Sequence, residues 1–250
     1  MDLALDHLAL TDVGRVRRDN EDTVFGTSRL VAVADGVGGH VAGEVASQVA
    51  IGALASLDKC WLEDPLPDAL EQAVMSGNER IAFVAECRPQ LSGMGTTLTA
   101  AAVDGETLTV ANIGDSRTYL FRSGALRQLT RDDSLVQELI ESGRISAAEA
   151  RDHPRSSLVL KALDGDRSRR PTITTETARD GDRLLLCSDG LSDMVDDCAI
   201  SEALRIESRE ACAERLLGLA LEAGGRDNIS LVLADLRPRT EPASGWRRAA

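Results

Sequence analysis

Residues 30–45 read LVAVADGVGGHVAGEV. Leu30 to Ala34 is a short, wholly apolar run, the pattern of a strand buried on both faces, and Asp35-Gly36 stops it at a turn. Helical spacing follows. Val45, Val49, Leu54 and Leu57 recur between Gly43 and Leu57, and Leu70, Val74, Ile81 and Val84 repeat the pattern between Leu66 and Cys87. A buried strand that feeds two long helices and leaves a carboxylate at the junction sets the reading of the rest.

Beyond Gly93 the period changes from helix to strand. Thr96–Val103, Thr107–Ile113, Ser116–Phe121 and Ala125–Leu129 are short, rich in Thr and Val, and separated by Asp104-Gly105, Gly114-Asp115 and Ser123-Gly124, which predicts an antiparallel meander. Arg131–Arg155 is polar, with a short helical pattern around Leu135, Val136, Leu139 and Ile140, and reads as a surface insertion ending at His153-Pro154. Strands are expected at Pro171–Thr177, Arg183–Cys187 and Asn228–Asp235, and a helix at Glu210–Ala223 closed by Gly224-Gly225. Runs of helices and runs of strands, without βαβ alternation, predict an α+β layered domain with two mostly antiparallel sheets. One domain over 1–236 and a disordered tail over 237–250 are expected.

The composition excludes several partners. In 250 residues, Lys+Arg 28 against Asp+Glu 41 leave a net charge of −13, which opposes binding to a polyanion such as nucleic acid. With 2% aromatic residues there are too few rings for a base-stacking platform. The five cysteines are odd in number and lack a C-x-x-C pair, so neither a disulfide framework nor a thiolate zinc site is indicated and a reducing cytoplasm fits. MDLALDHLAL lacks the basic flank of a secretory signal, and Val41–Leu57 is interrupted by Glu44, Ser47 and Gln48, so neither export nor membrane insertion is expected.

The acids carry the chemistry. Asp-Gly pairs occur at 35, 104, 164, 180 and 189, and Asp104-Gly105 and Asp180-Gly181 need no meaning beyond a tight turn. Asp35 and Asp189 differ because each ends an apolar run; Asp115 follows LTVANIG and Asp227 precedes NISLVLAD. Four carboxylates at strand ends can meet at one sheet rim, where they require a compensating cation. Oxygen donors suit Mg2+ or Mn2+, whereas His7, His40 and His153 have no paired spacing for zinc. Arg17-Arg18-Asp19-Asn20-Glu21-Asp22 adds guanidinium groups for phosphate beside further acids. Gly36-Val37-Gly38-Gly39 fits neither a dinucleotide fingerprint, which needs glycine at Val41, nor a P-loop.

RRDNED, VADGVGGHVAGEVAS, GMGTTL, NIGDSRTY, LCSDGLSDMV and GRDNISLVL occur in this order over about residues 10–236. Together they resemble the metal-dependent serine/threonine phosphatases of the PP2C type in their compact bacterial form. The resemblance implies a four-layer αββα sandwich flanked by helix pairs, with a flap subdomain at about 131–165. It also implies a centre of two Mn2+ or Mg2+ ions, with Asp35 bridging them, the Gly36 carbonyl on the second, Asp189 and Asp227 on the first, and Glu21 and Asp22 acting directly or through water. Asp115 with Asp189 matches a third site found in some members, and Arg17 stands at the phosphate-binding arginine.

The implied reaction is hydrolysis of phosphoserine and phosphothreonine on proteins by direct attack of a metal-bridging water, with Arg17 and Asp35 as the catalytic set. The implied partners are phosphorylated proteins and a cognate Ser/Thr kinase, and the implied state is a monomer. The proton donor stays open: Val37 stands where eukaryotic members carry histidine, and His40 and His153 each have a plain structural reading. Two alternatives stay open as well, a catalytically silent phospho-binding scaffold and a phosphatase acting on an anti-sigma-factor antagonist.

Overall fold

The computed structural model describes residues 2–38, 41–60, 65–146, 149–150 and 153–239. Two five-stranded sheets stack face to face. The first has the order β1 (Leu3–Asp12), β12 (Ile229–Pro238), β11 (Arg183–Cys187), β8 (Arg117–Arg122), β9 (Ala125–Gln128). The second has the order β10 (Thr172–Thr177), β7 (Thr107–Ile113), β6 (Leu98–Asp104), β3 (Leu30–Ala34), β2 (Thr23–Gly26). A two-residue ladder joins β4 (Gly36–Val37) to β5 (Gly95–Thr96). Every described ladder is antiparallel.

Side-chain parity accounts for the layers, because successive residues of a strand face opposite sides. In β3, Val31 and Val33 enter the core between the sheets with Ala101, Val110, Leu184, Leu186 and Val232. Leu30, Ala32 and Ala34 pack the other way, under α1 (Val41–Cys60) and α2 (Leu66–Cys87), with Leu54, Leu70, Val74 and Ile81. Leu185, Cys187, Leu231 and Leu233 of the first sheet turn outward onto α5 (Asp197–Ala203) and α6 (Arg209–Glu222), which follow the short α4 (Asp189–Ser192). The αββα sandwich is therefore present, and buried two-faced strands explain the continuous apolar runs.

Three differences from the sequence reading have physical causes. β1 and β2, where the sequence reading has no strand, precede Leu30–Ala34. β1 sits at the sheet edge, with Leu3 and Leu5 in the inter-sheet core and Leu8 and Leu10 against the outer helices, so its pattern changes face midway. The expected meander is split, since β6 and β7 belong to one sheet while β8 and β9 belong to the other, and the chain crosses at Gly114–Ser116. β12 runs on to Pro238, pairing Leu3 with Pro238 and Ala4 with Arg237; of the expected tail, residues 240–250 lie outside the described residues. Within the flap, α3 (Leu135–Glu141) is capped by the Ser134 side chain accepting from Gln137 N–H.

Candidate metal centre

β3 and β7 end, and β2, β6, β8 and β12 begin, at the same end of the sandwich. There Arg17, Glu21, Asp35, Gly36, Asp115, Asp189 and Asp227 line one cleft of about 260 Å3, together with Val37, Thr97, Asn228 and the flap residues Ser157 and Val159. Two larger clefts, of about 510 and 590 Å3, lie over α5 and the β8–β9 hairpin, and neither gathers four strand-end acids. Asp22 is the exception among the expected residues: it is buried behind the cleft wall, where Ser188 Oγ donates to its Oδ2 at 2.9 Å. His40 lies outside the described residues. His153 does not line the cleft, and its Nδ1 accepts the Arg155 N–H at 3.2 Å, which shapes the flap loop.

Residues to which the sequence reading gave no role position the acids. Thr96 Oγ1 donates to the Asp35 carbonyl at 2.8 Å, and Thr97 N–H donates to the same oxygen at 2.9 Å, so the GMGTTL motif clamps the end of β3. Asn228 Oδ1 accepts Glu21 N–H at 2.9 Å, while its Nδ2 donates to the carbonyls of Val13 and Asp19. This one amide holds the RRDNED loop over the start of β12. Asp193, one turn after Asp189, adds its charge to both Asp115 and Asp189. The motifs marked these positions, but the partners lie too far away in sequence for spacing to assign them.

Glycines admit the close approaches. A Cβ on Gly36 would stand 2.3 Å from the Gly43 carbonyl oxygen and 2.7 Å from that of Glu21, and one on Gly43 would stand 1.9 Å from Glu21 Oε2. The Glu21 carboxylate thus lies against the first turn of α1, where helix N–H groups favour an anion. Gly36→Ala is expected to destabilise the protein by about 3 kcal/mol, because the obstructing atoms are backbone. Urea unfolding checks this, and an unchanged midpoint contradicts the packing described.

Like charges crowd the cleft. Burial pushes the Asp35 carboxyl well above the ordinary carboxylate range, and Asp22, Asp189, Asp115 and Asp227 raise it further. Asp189 is pushed the same way by burial, then by Asp115 and Asp193. Burial with Asp132 and Asp193 raises Asp115 to about 7, and burial raises Asp22 to about 6 against the hydrogen bonds from Ser230 and Ser188. Asp189 Oδ1 and Asp22 Oδ1 are buried without a hydrogen-bond partner. Opposing the acids, Arg17 Nη2 donates to Asp227 Oδ2 at 2.7 Å. Among the described residues, no three acid, His or Cys side chains close on one point as a preassembled cage. Mutually repelling carboxylates held by rigid strand ends ring a space instead. Orphaned, all-oxygen donors of this kind fit hard divalent cations.

The family model for protein phosphatase 2C matches residues 12–217. The chain belongs to this family. Over 234 residues it is 51% identical to the serine/threonine protein phosphatase PstP of Mycobacterium tuberculosis, covering 94% of this chain and 45% of that protein. The chain thus spans about half the length of these mycobacterial relatives. It is 38% identical to the serine/threonine phosphatase stp of Listeria innocua over 240 residues, covering 90% of this chain and 93% of that one. The crystal structure of the M. tuberculosis phosphatase superposes with a TM-score of 0.91 at 51% identity, over 94% of this chain and 100% of that one. The PstP catalytic domain in complex with two manganese ions gives 0.89 at 50% identity, with the same coverage. The sandwich fold is therefore shared with these phosphatases.

Proposed function

We propose that this chain is a metal-dependent protein phosphatase that hydrolyses phosphoserine and phosphothreonine on proteins. The observation that carries the reading is the ring of Asp35, Asp115, Asp189 and Asp227 around one cleft with Arg17 at its mouth. Asp35, the Gly36 carbonyl, Asp189 and Asp227, with Glu21 beside them in the cleft and Asp22 behind its wall, are the residues to hold two Mn2+ or Mg2+ ions; Asp115 with Asp189 is the pair for a third. Bound there, such ions supply Lewis acidity toward phosphoryl oxygens and lower the pKa of an attacking water.

The chain's own groups do the rest. Arg17 is half exposed and donates to Asp227 through Nη2, and its Nε and Nη1 hydrogens, on separate edges of the guanidinium, remain as donors for phosphate oxygens. Thr96, Thr97 and Asn228 hold their acids on backbone atoms at strand ends, which keeps the donors in place before substrate arrives. Val37 lines the cleft and has no proton to give, so the leaving alkoxide takes its proton from elsewhere.

We extend the proposal to a monomer that opposes a Ser/Thr kinase in a reducing cytoplasm. Support comes from the serine/threonine names of the relatives and from the thiols. Cys187 and Cys212 are buried and free, and burial pushes them up to about 12 and about 11, so they stay protonated. Among the described residues no helix is long and apolar enough to cross a membrane.

Phosphate release from a phosphothreonine peptide tests the reading. Chelator is expected to lower the Mn2+-supported rate at least about a hundredfold, with recovery on adding excess Mn2+. Equal rates with and without chelator overturn it.

A further inference from the structure

The flap returns to the sandwich along residues 157–163, and this strap is tied at both ends. Leu163 exchanges two backbone hydrogen bonds with Thr96, at 3.0 and 2.8 Å, and Thr96 is the residue whose hydroxyl holds the Asp35 carbonyl. At the other end Leu135 N–H donates to the Leu158 carbonyl at 3.0 Å, and Leu160 N–H donates to the Asp133 carbonyl at 2.7 Å. Asp133 also reaches the opposite wall: its N–H donates to the Gly114 carbonyl at 2.8 Å, and its Oδ2 accepts Gly114 N–H at 3.3 Å. Gly114 precedes Asp115. The strap therefore spans from the strand end bearing Asp35 to the crossover bearing Asp115, with Ser157 and Val159 facing the cleft between them.

We propose that Lys161 and Asp133 form a latch that sets the position of this strap, and through it the fit of the cleft to the polypeptide around a phosphorylated residue. Lys161 Nζ donates to Asp133 Oδ1 at 2.9 Å, and the Asp133 side chain is only 6% exposed. A buried carboxylate needs a near counter-charge. The other candidate, Arg131, stands 3.9 Å away and is committed to Glu141 by two 2.6 Å bonds. Lys161 is thus the cation that joins the strap to the residue gripping Gly114. Val159, which lines the cleft from the strap, gives it an apolar side chain for a polypeptide, which a small phosphate ester does not need. Lys161 and Asp133 are positioning residues; neither lines the cleft.

The inference rests on the phosphatase reading, and its test separates the two. With Mn2+ present, Lys161→Met is expected to raise KM for a phosphothreonine peptide about tenfold, with kcat and the activity on a small aryl phosphate within about twofold of the parent. Lys161→Arg restores KM, since a guanidinium also reaches Asp133. Asp133→Asn, which keeps an acceptor for Gly114 N–H, shows the same split. Hydrogen exchange gives a readout without substrate: the Leu160 amide exchanges faster in Lys161→Met, while the Leu163 amide, held by Thr96, does not. An unchanged peptide KM, an equal loss on both substrates, or failure of arginine to rescue overturns the latch. If the parent protein turns over neither substrate, the phosphatase reading fails, and unchanged exchange at Leu160 then overturns the latch separately.

Discussion

Asp189→Asn lowers kcat on a phosphothreonine peptide by roughly three orders of magnitude, while the metal-free protein becomes more stable by about 1–3 kcal/mol. Both effects have one cause. Asp189 is a buried carboxylate with Asp115, Asp193, Asp227 and Asp22 around it, and its Oδ1 has no hydrogen-bond partner. Folding holds these charges together against their repulsion, at a cost that a divalent cation offsets. Asparagine removes one charge and so relieves the metal-free fold, but it also removes an anionic donor from the proposed cation site. Such a site exchanges stability for function. Peptide turnover and melting curves with and without Mn2+ check the prediction. Mn2+ is expected to raise the melting temperature of the parent protein far more than that of the variant. Equal Mn2+ shifts, or a variant less stable than its parent without metal, contradict the assignment.

Asp235→Ala has the largest expected effect on stability, a loss of about 3–5 kcal/mol, which for a chain of this size is roughly 10 °C in melting temperature. Arg183 and Asp235 are cross-strand partners of β11 and β12, joined at 2.6 Å through Nε and at 3.1 Å through Nη2; Arg209 of α6 adds a 3.0 Å bond. Arg183 also donates to the carbonyls of Leu204, Ile206 and Glu207, so one guanidinium fastens the end of α5 to the sheet. Removing the carboxylate leaves a buried cation without its counter-charge. Because this cluster lies at the end of β11 opposite the cleft, kcat of the folded variant should match the parent.

The same pair sets an acid limit. Burial alone would push the Asp235 carboxyl up, but Arg183 and then Arg209 hold it below its ordinary 3.8. A carboxylate depressed in the fold contributes stability that is present above its unfolded value and is lost as pH falls through the folded one. The parent should therefore lose stability below about pH 4, and Asp235→Ala should lose less over that range. Urea unfolding at pH 7 and pH 3 measures both. A parallel pH response in the two proteins would remove Asp235 as the cause.

The strands that were legible are those whose pattern is local. LVAVA, TLTVANI and RLLLC are buried on both faces, and largely apolar, because each separates two cores, and they are followed by Asp, Gly or Ser. β1 was not legible because LALDHLALTD changes its buried face midway along an edge. The acids at 35, 115, 189 and 227 are legible because each flanks an apolar run, the first three after it and Asp227 before it. The resemblance has Glu21 and Asp22 acting directly or through water; the structure sets Asp22 behind the cleft wall on Ser188, and no spacing in RRDNED distinguishes it from Glu21, which faces the cleft.

The sequence by itself determined the element types, the family and the identity of nearly every cleft acid, because burial periodicity and short motifs are properties of neighbouring residues. Tertiary structure alone decided that the chain changes sheets at Gly114–Ser116, that Asn228 holds the Glu21 loop, and that Lys161 meets Asp133. Those facts depend on which strand pairs with which and on contacts between residues up to 215 positions apart. Hydrophobic alternation specifies that a strand is buried; it carries no record of the partner that buries it.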